Sequence, residues 1–230
     1  LAPGLRERLQ LVGKCGIKLV SPARPEHRIK HYDSSAAHIA ASVEASLRAL
    51  RTDRLDLLLI HRPDPLLDAD EVARAFESLR AAGKVRHFGV SNFAPAQFEL
   101  LASRFPLVTN QIELHPLQRA ALTDGTLDQM QRLRIRPMVW SPLAGGALIS
   151  GGGEAERRVQ AALGRIGERL GASAASVAFA WLLRHPSRPL PVAVSRRIEA
   201  LREAVAALRL TLDAQDWTEV WQAAAGHEVA

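Results

Sequence analysis

The chain has one cysteine and one tyrosine, and Phe, Trp and Tyr together make up only 5% of its 230 residues. The lone Cys15 excludes an intramolecular disulfide and fits a reducing compartment. No apolar run approaches the length of a membrane span. No charged-then-apolar secretory pattern opens the chain. A cytoplasmic protein without a membrane partner is therefore expected. The formal net charge is +6 and the pI is near 10.4, values that suit nucleic acid. However, the arginines are scattered among Glu and Asp on apparent helices, and basic and aromatic residues do not alternate as a single-strand-binding surface requires. Nucleic acid is thus not the expected partner. A phosphorylated small molecule needs only a local Arg cluster and is the more economical one. The first strand–helix junction also lacks the glycine fingerprint of a Rossmann dinucleotide-binding unit.

What is present begins with core-forming material. Hydrophobic residues make up 47% of the sequence, enough for a substantial core. No shift in composition divides the chain, so residues 1–230 read as a single domain. Its organising stretch is Leu55-Asp-Leu-Leu-Leu-Ile-His-Arg-Pro63. So short an apolar run suits a strand buried on both faces, and Pro63 blocks its continuation. The strand ends on His61. That histidine either caps the strand through a backbone hydrogen bond or carries chemistry at the carboxyl end of a parallel strand.

Further strands are expected over 9–14, 85–90, 107–112, 135–140 and 190–194. Helices are expected at 1–8, 36–50, 68–82 (capped by Asp68 with Glu71 three residues on), 95–103, 123–133, 154–170, 173–184 and 198–208, with a last one from about Asp213. Ile39, Val43, Leu47 and Leu50 share one face of the second helix. The Pro-, His- and Arg-rich stretch from Cys15 to Ser35 reads as a long loop, and Gly145, Gly146 and Gly151 to Gly153 read as a flexible one. Strand, loop and helix alternate throughout, which implies a parallel sheet with right-handed crossovers. An open doubly wound sheet and a (β/α) barrel both satisfy the pattern, and the missing Rossmann fingerprint disfavours the first.

The strands end in polar residues on one side: Lys14, His61, Ser91 with Asn92, Gln111, Ser141, and Ser195 with Arg197. In a parallel barrel these ends converge on one face. The residues that carry the strand ends also resemble the aldo-keto reductase family, especially its bacterial oxidoreductase branch. The matching stretches are Val12-Gly-Lys-Cys-Gly-Ile17, Leu55 to Pro63, Gly83-Lys-Val-Arg-His-Phe-Gly-Val-Ser-Asn-Phe93, Asn110-Gln-Ile-Glu-Leu-His-Pro116, Trp140-Ser-Pro-Leu143 and Pro191 to Glu203, in family order.

This resemblance implies a (β/α)8 TIM barrel that reduces the carbonyl of a small aldehyde or ketone with NADPH and without a metal. It implies that Lys14 is the catalytic lysine, lowering the pKa of a nearby phenol, and that His61 orients the carbonyl. Ser91, Asn92 and Gln111 would hold the nicotinamide carboxamide, although Asn92 also suits a helix N-cap. Trp140 would stack on the nicotinamide ring or serve as a core indole. Ser141, Leu143 and the glycines after them, Gly145 and Gly146, would wrap the pyrophosphate. Ser195, Arg196 and Arg197 would bind the adenosine-ribose phosphate, favouring NADPH over NADH. Arg202 and Glu203 would lie at the adenine, where the family's usual Asn is Ala204.

The family's catalytic Asp and Tyr precede the lysine strand. Here Lys14 is on the first strand, and the only tyrosine, Tyr32, follows it. The first two strand–helix units of the barrel are therefore expected to be absent from this chain. The first residue is Leu1 rather than Met, so a truncated sequence is the expectation. Such a chain would expose sheet edges and lack the usual proton donor. A degenerate, non-catalytic NADPH-binding protein is the alternative, and a phosphate-sugar isomerase barrel a more distant one. Specificity is expected in the Cys15–Ser35 and Pro63–Asp68 loops and the carboxyl tail. The sequence carries no signal for an oligomeric state.

Overall fold

The computed structural model describes residues 4–229. The chain divides into two compact units, Leu1–Gln111 and Ile112–Ala230.

The first unit runs α1 (Leu5–Arg8), β1 (Val12–Cys15), β2 (Ile17–Lys18), β3 (His31–Tyr32), α2 (Ala36–Leu50), β4 (Leu55–Ile60), α3 (Ala69–Ala81), β5 (Val85–Ser91), α4 (Pro95–Ala102) and into β6 (Asn110–Glu113). Its parallel sheet has the order β1-β4-β5-β6. Lys14 of β1 lies opposite Leu59 of β4, and Leu59 opposite Gly89 of β5. β4 is flanked on both sides, so Leu55, Leu58, Leu59 and Ile60 are all buried, as its continuous apolar run requires. α2 packs through Ile39, Val43 and Leu47, and α3 through Val72, Phe76 and Leu79. The rings of Phe76 and Phe88 stack at 4.2 Å, and Phe105 meets both edge-on.

Three details depart from the sequence expectation. Leu50 is 46% exposed, because α2 ends there and Arg51 turns the chain with φ of 50°. Asp68 caps α3 by accepting from the amides of Asp70 and Glu71, but Glu71 does not reach back. Its carboxylate instead accepts from the Ala36 amide at 2.8 Å and caps the neighbouring helix α2. The stretch from Cys15 to Ser35 is not all loop: β2 and β3 form an antiparallel pair, with Ile17 opposite Tyr32. The expected exposed edge is there, since β1 pairs only with β4 among the described residues and Val12 is 42% exposed.

The second unit holds a 3₁₀ turn at Ala120–Leu122, α5 (Thr126–Arg132), β7 (Met138–Trp140), α6 (Ala147–Ser150), α7 (Glu154–Leu170), α8 (Ala174–Leu183), β8 (Leu190–Pro191), α9 (Ile198–Ala206) and α10 (Ala214–Ala225). β7 and β8 pair in parallel, with Val139 opposite Pro191. Both are shorter than the apolar runs that signalled them. Pro137 has no amide to donate ahead of β7, and past β8 the Val192 amide still donates to the Val139 carbonyl at 2.8 Å before residues 192–194 line a cavity. Of the glycine stretch expected to be a loop, Gly145 and Gly146 lie in a 3₁₀ turn at Ala144–Gly146 followed by the short helix α6, while Gly151 to Gly153 form the connection to α7. The core gathers Val159, Leu163, Ile166, Val177, Trp181 and Val220. α8 and α10 are joined by a reciprocal indole clamp. Trp181 and Trp217 stack at 4.9 Å, and each Nε1 donates to the other's carbonyl oxygen at 3.0 Å.

Asp56 ties the first unit together at the start of β4. It is 7% exposed. Its carboxylate accepts from the Leu11 amide at 2.9 Å and pairs with Arg6 at 3.0 Å and Arg86 at 3.3 Å. Burial alone would raise its pKa, but the Leu11 amide and the Arg6 guanidinium outweigh burial and hold the carboxyl below its usual range. Asp56→Ala, which leaves Arg6 without its buried partner, is expected to cost about 3 kcal/mol in urea denaturation. Because the folded pKa is depressed, this contribution is present above the ordinary carboxylate pKa and lost as pH falls toward the folded value. Asp56→Asn should therefore flatten the acid limb of the stability profile.

Candidate active site

In the first unit the parallel register puts the carboxyl ends of β1, β4, β5 and β6 on one face, and with them Lys14, His61, Ser91, Asn92 and Gln111. The His61 amide donates to the Cys15 carbonyl at 2.8 Å, so the ends of β1 and β4 stay locked past the last ladder pair. Ser91 is opposite Gln111. The Ser91 hydroxyl donates to the Gln111 carbonyl at 2.9 Å and accepts from the Asn92 side-chain amide at 2.9 Å. Asn92 has φ of 60°, a left-handed conformation that costs energy for a non-glycine residue and that clusters at functional sites. It does not cap α4. That position belongs to Ala94, whose amide donates to the Gln97 side chain at 3.0 Å.

The sequence reading missed Asn110. Fully buried, it donates from Nδ2 to the Phe93 carbonyl at 2.8 Å and accepts from the Phe93 amide at 3.3 Å, fixing the turn after β5. The signal was a buried polar residue beginning a strand, whose hydrogen bonds had to go somewhere.

Charge on this face is mostly positive. Burial, and then the Lys14, Arg62 and Lys30 cations, push the His61 pKa below its ordinary value, which keeps the ring neutral at neutral pH. Partial burial and the Arg62 guanidinium likewise lower Lys14. A neutral imidazole beside an ammonium can donate a hydrogen bond to a carbonyl oxygen and stabilise negative charge that grows there. Tyr32 sits in β3, not in a loop.

The second unit holds a cavity of about 620 Å³. Ser141, Leu143, Gly145, Gly146, Ser195, Arg197 and Glu203 line it, as do residues that sequence reading had not assigned, notably Ser173 to Ala175. Arg196 and Arg202 are not among the lining residues, and Arg202 lies 4.0 Å from Glu199 on the exposed side of α9. Trp140 is half-buried at the end of β7. The turn after it is left-handed at Ser141, Ala144, Gly145 and Gly146. Addition of a Cβ at Gly145 or Gly146 would meet no atom within 4 Å, so these two glycines serve backbone conformation and leave room beside them. Two helix starts border the cavity: Ser173 caps α8, and Arg197 stands at the N-cap of α9, its amide donating to the Ser195 hydroxyl at 3.0 Å. Helix amino ends, a guanidinium and open glycine backbone together suit phosphate.

The aldo/keto reductase family model matches residues 2–225. The chain belongs to this family. It is 51% identical to the 6-dehydroglucose reductase of Agrobacterium fabrum, covering all of this chain and 77% of that protein. It is 53% identical to oxidoreductase YdhF of Escherichia coli, covering all of this chain and 76% of that one. Among solved structures, the thermostable aldo-keto reductase Tm1743, crystallised with the inhibitor epalrestat, superimposes with a TM-score of 0.78 at 27% identity, covering 95% of this chain and 72% of that one. The fold is thus that of an aldo-keto reductase. The described residues supply six parallel strands of it, where a complete (β/α)8 barrel has eight. Among the described residues no group of His, Cys, Asp or Glu could hold a metal, and no helix is long and apolar enough to cross a membrane.

The charge arrangement has a measurable consequence. In an NMR titration His61 should titrate below the ordinary histidine value, and Lys14→Met should raise its pKa by removing a neighbouring cation. On acidification the unfolded chain takes up this proton first. The stability His61 contributes is therefore present above the ordinary pKa and falls as pH drops through the interval down to the folded one.

Proposed function

We propose that the chain is an NADPH-dependent reductase of aldehydes or ketones. The observation that carries this reading is the placement of Lys14 and a neutral His61 together at adjacent strand ends, next to the Ser91–Asn92–Gln111 hydrogen-bond cluster. His61 would donate to the carbonyl oxygen, and the Lys14 ammonium would stabilise the charge developing there. Asn92 and Gln111, with both donor and acceptor groups, suit the nicotinamide carboxamide. The second-unit cavity suits the phosphates, with Arg197 and Ser195 toward the ribose phosphate and Gly145 and Gly146 toward the pyrophosphate. When bound, NADPH supplies the hydride.

The proton donor favours a second reading. Tyr32 is the only phenol in these 230 residues, and it follows Lys14 on β3, whereas the family's tyrosine precedes the lysine. The chain as given would then bind NADPH with little turnover.

Fluorescence titration with NADPH, followed by NADPH oxidation with an aldehyde panel, separates the two readings. 6-Dehydroglucose belongs in that panel because of the relative that reduces it. Binding is expected, and Arg197→Ala should weaken NADPH roughly tenfold or more while changing NADH little, as expected for loss of a charge-assisted hydrogen bond. Turnover supports the reductase, binding alone supports the second reading, and failure to bind NADPH removes both.

A further inference from the structure

α9 turns its small residues inward and its large apolar ones outward. The 3₁₀ turn Ala207–Arg209 continues the helix. Ala204 packs against the core of the second unit, Ala207 is buried in it, and the Glu203 carbonyl accepts from the Ser176 hydroxyl. Alanines and a backbone bond therefore hold the helix in place. The bulky side chains stand in water: Ile198 is 54% exposed, Val205 63% and Leu208 70%, and Leu201, which also lines the cavity, is 37% exposed. A surface helix ordinarily buries such residues and gives its polar face to solvent.

These four residues are spaced by three, four and three positions, which sets them in one stripe about three turns long. That spacing is the seam of a coiled coil and the anchor pattern by which a helix is received by a partner. A continuous apolar stripe left on the surface marks a site of association.

The residues beside the stripe specify the partner. Arg202 and Arg209 each follow a stripe residue, Ile198 and Val205, by four positions and flank it on one side. Arg197 and Ala204 immediately precede Ile198 and Val205 and flank it on the other. Glu199 comes within 4.0 Å of Arg202 but lies off the stripe, and with side-chain exposures of 65% and 75% the pair is weak. Both flanks are thus basic or neutral. A second copy would set arginine against arginine or alanine in either direction, and like charge disfavours that pairing. A helix with acids at its own flanking positions is complementary. We propose that the exposed face of α9 docks an amphipathic helix of another protein, one with apolar residues at the same spacing and Glu or Asp beside them. The proposal stands apart from the reductase reading.

Fluorescence anisotropy on the full chain tests this with two labelled designed peptides of about 20 residues, long enough to be helical alone. Both carry Leu at the seam positions. One carries Glu at the flanking positions and the other Lys. The Glu peptide should bind about tenfold or more tighter than the Lys peptide, and high salt should shrink that ratio. Val205→Asp, which puts a charge in the seam, should weaken the Glu peptide about tenfold or more. The double variant Arg202→Glu, Arg209→Glu should reverse the preference, a result that misfolding would not produce. Equal binding of the two peptides, binding of neither, or a preference that Val205→Asp and the double variant both leave unchanged overturns the proposal. So does a dimer in sedimentation that Val205→Asp dissociates, because a second copy would then occupy the face. So does attachment to phosphatidylserine vesicles that Val205→Asp abolishes while neither peptide binds, because the face would then belong to a membrane surface.

Discussion

Pairing on both edges of β4 is the constraint on which the first unit depends. β4 takes β1 on one side and β5 on the other, so its register sets theirs, and every side chain of it except Leu57 is buried. Nearly every residue of the strand must then be apolar, and the exception has to be satisfied locally. Asp56 is that exception, and it recruits the Leu11 amide, Arg6 and Arg86 to the amino end of the sheet. At the other end the strand stops at Pro63 with His61 bonded to Cys15. Structural charge thus gathers at one end of the sheet and candidate chemistry at the other. A slip of one residue would move every β4 side chain to the opposite face and take Asp56 away from the Leu11 amide and its two arginines.

The two ends handle charge in opposite ways. The Asp56 carboxylate is kept ionised by cations and an amide donor, so its charge stabilises the fold. At the other end burial and the Lys14, Arg62 and Lys30 cations act on His61 and keep its ring uncharged at neutral pH. Left-handed backbone occurs at both ends of the strands: Asn92 and Ser141 come directly after β5 and β7, while Arg51, Arg134 and Arg188 lie ahead of β4, β7 and β8.

Much of this was legible in the sequence, for specific reasons. The β4 run, the Asp68 and Ser173 caps and the α7 boundaries follow from local rules that tertiary contacts only reinforce. Lys14, His61, Ser91 and Gln111 were legible as strand-end residues because polar groups that terminate apolar runs stand out. The β2–β3 hairpin was not, since it has only two residues per strand, lies among Pro, Arg and His, and depends on the Asp33–Gly16 bond rather than on its own pattern. Leu50 satisfied the helical period but fell where the helix ends. Glu71 satisfied the capping-box spacing but was taken by α2, a competition between helices that spacing alone does not register. The cavity wall from Ser173 to Ala175 was legible as a helix start and not as a lining, because its neighbours are distant in sequence.

The second unit shows how a ligand would act on such a structure. α9 buries none of its residues; Ile198 and Val205 are exposed along it, as is Leu208 in the 3₁₀ turn Ala207–Arg209 that follows. A short helix with so little burial is marginal on its own. Its carboxyl end is anchored where Ala207 enters the core, and the Ser176 hydroxyl donates to the Glu203 carbonyl partway along. The amino end carries Arg197 beside the cavity and has only the Ser195 bond. An anion in the cavity would add charge-assisted contacts at that weakly held end, and a ligand that binds only the ordered helix stabilises it by mass action. Binding of an anion there would therefore be linked to local order at α9, because Arg197 and the Ser195 bond sit at its less securely held end.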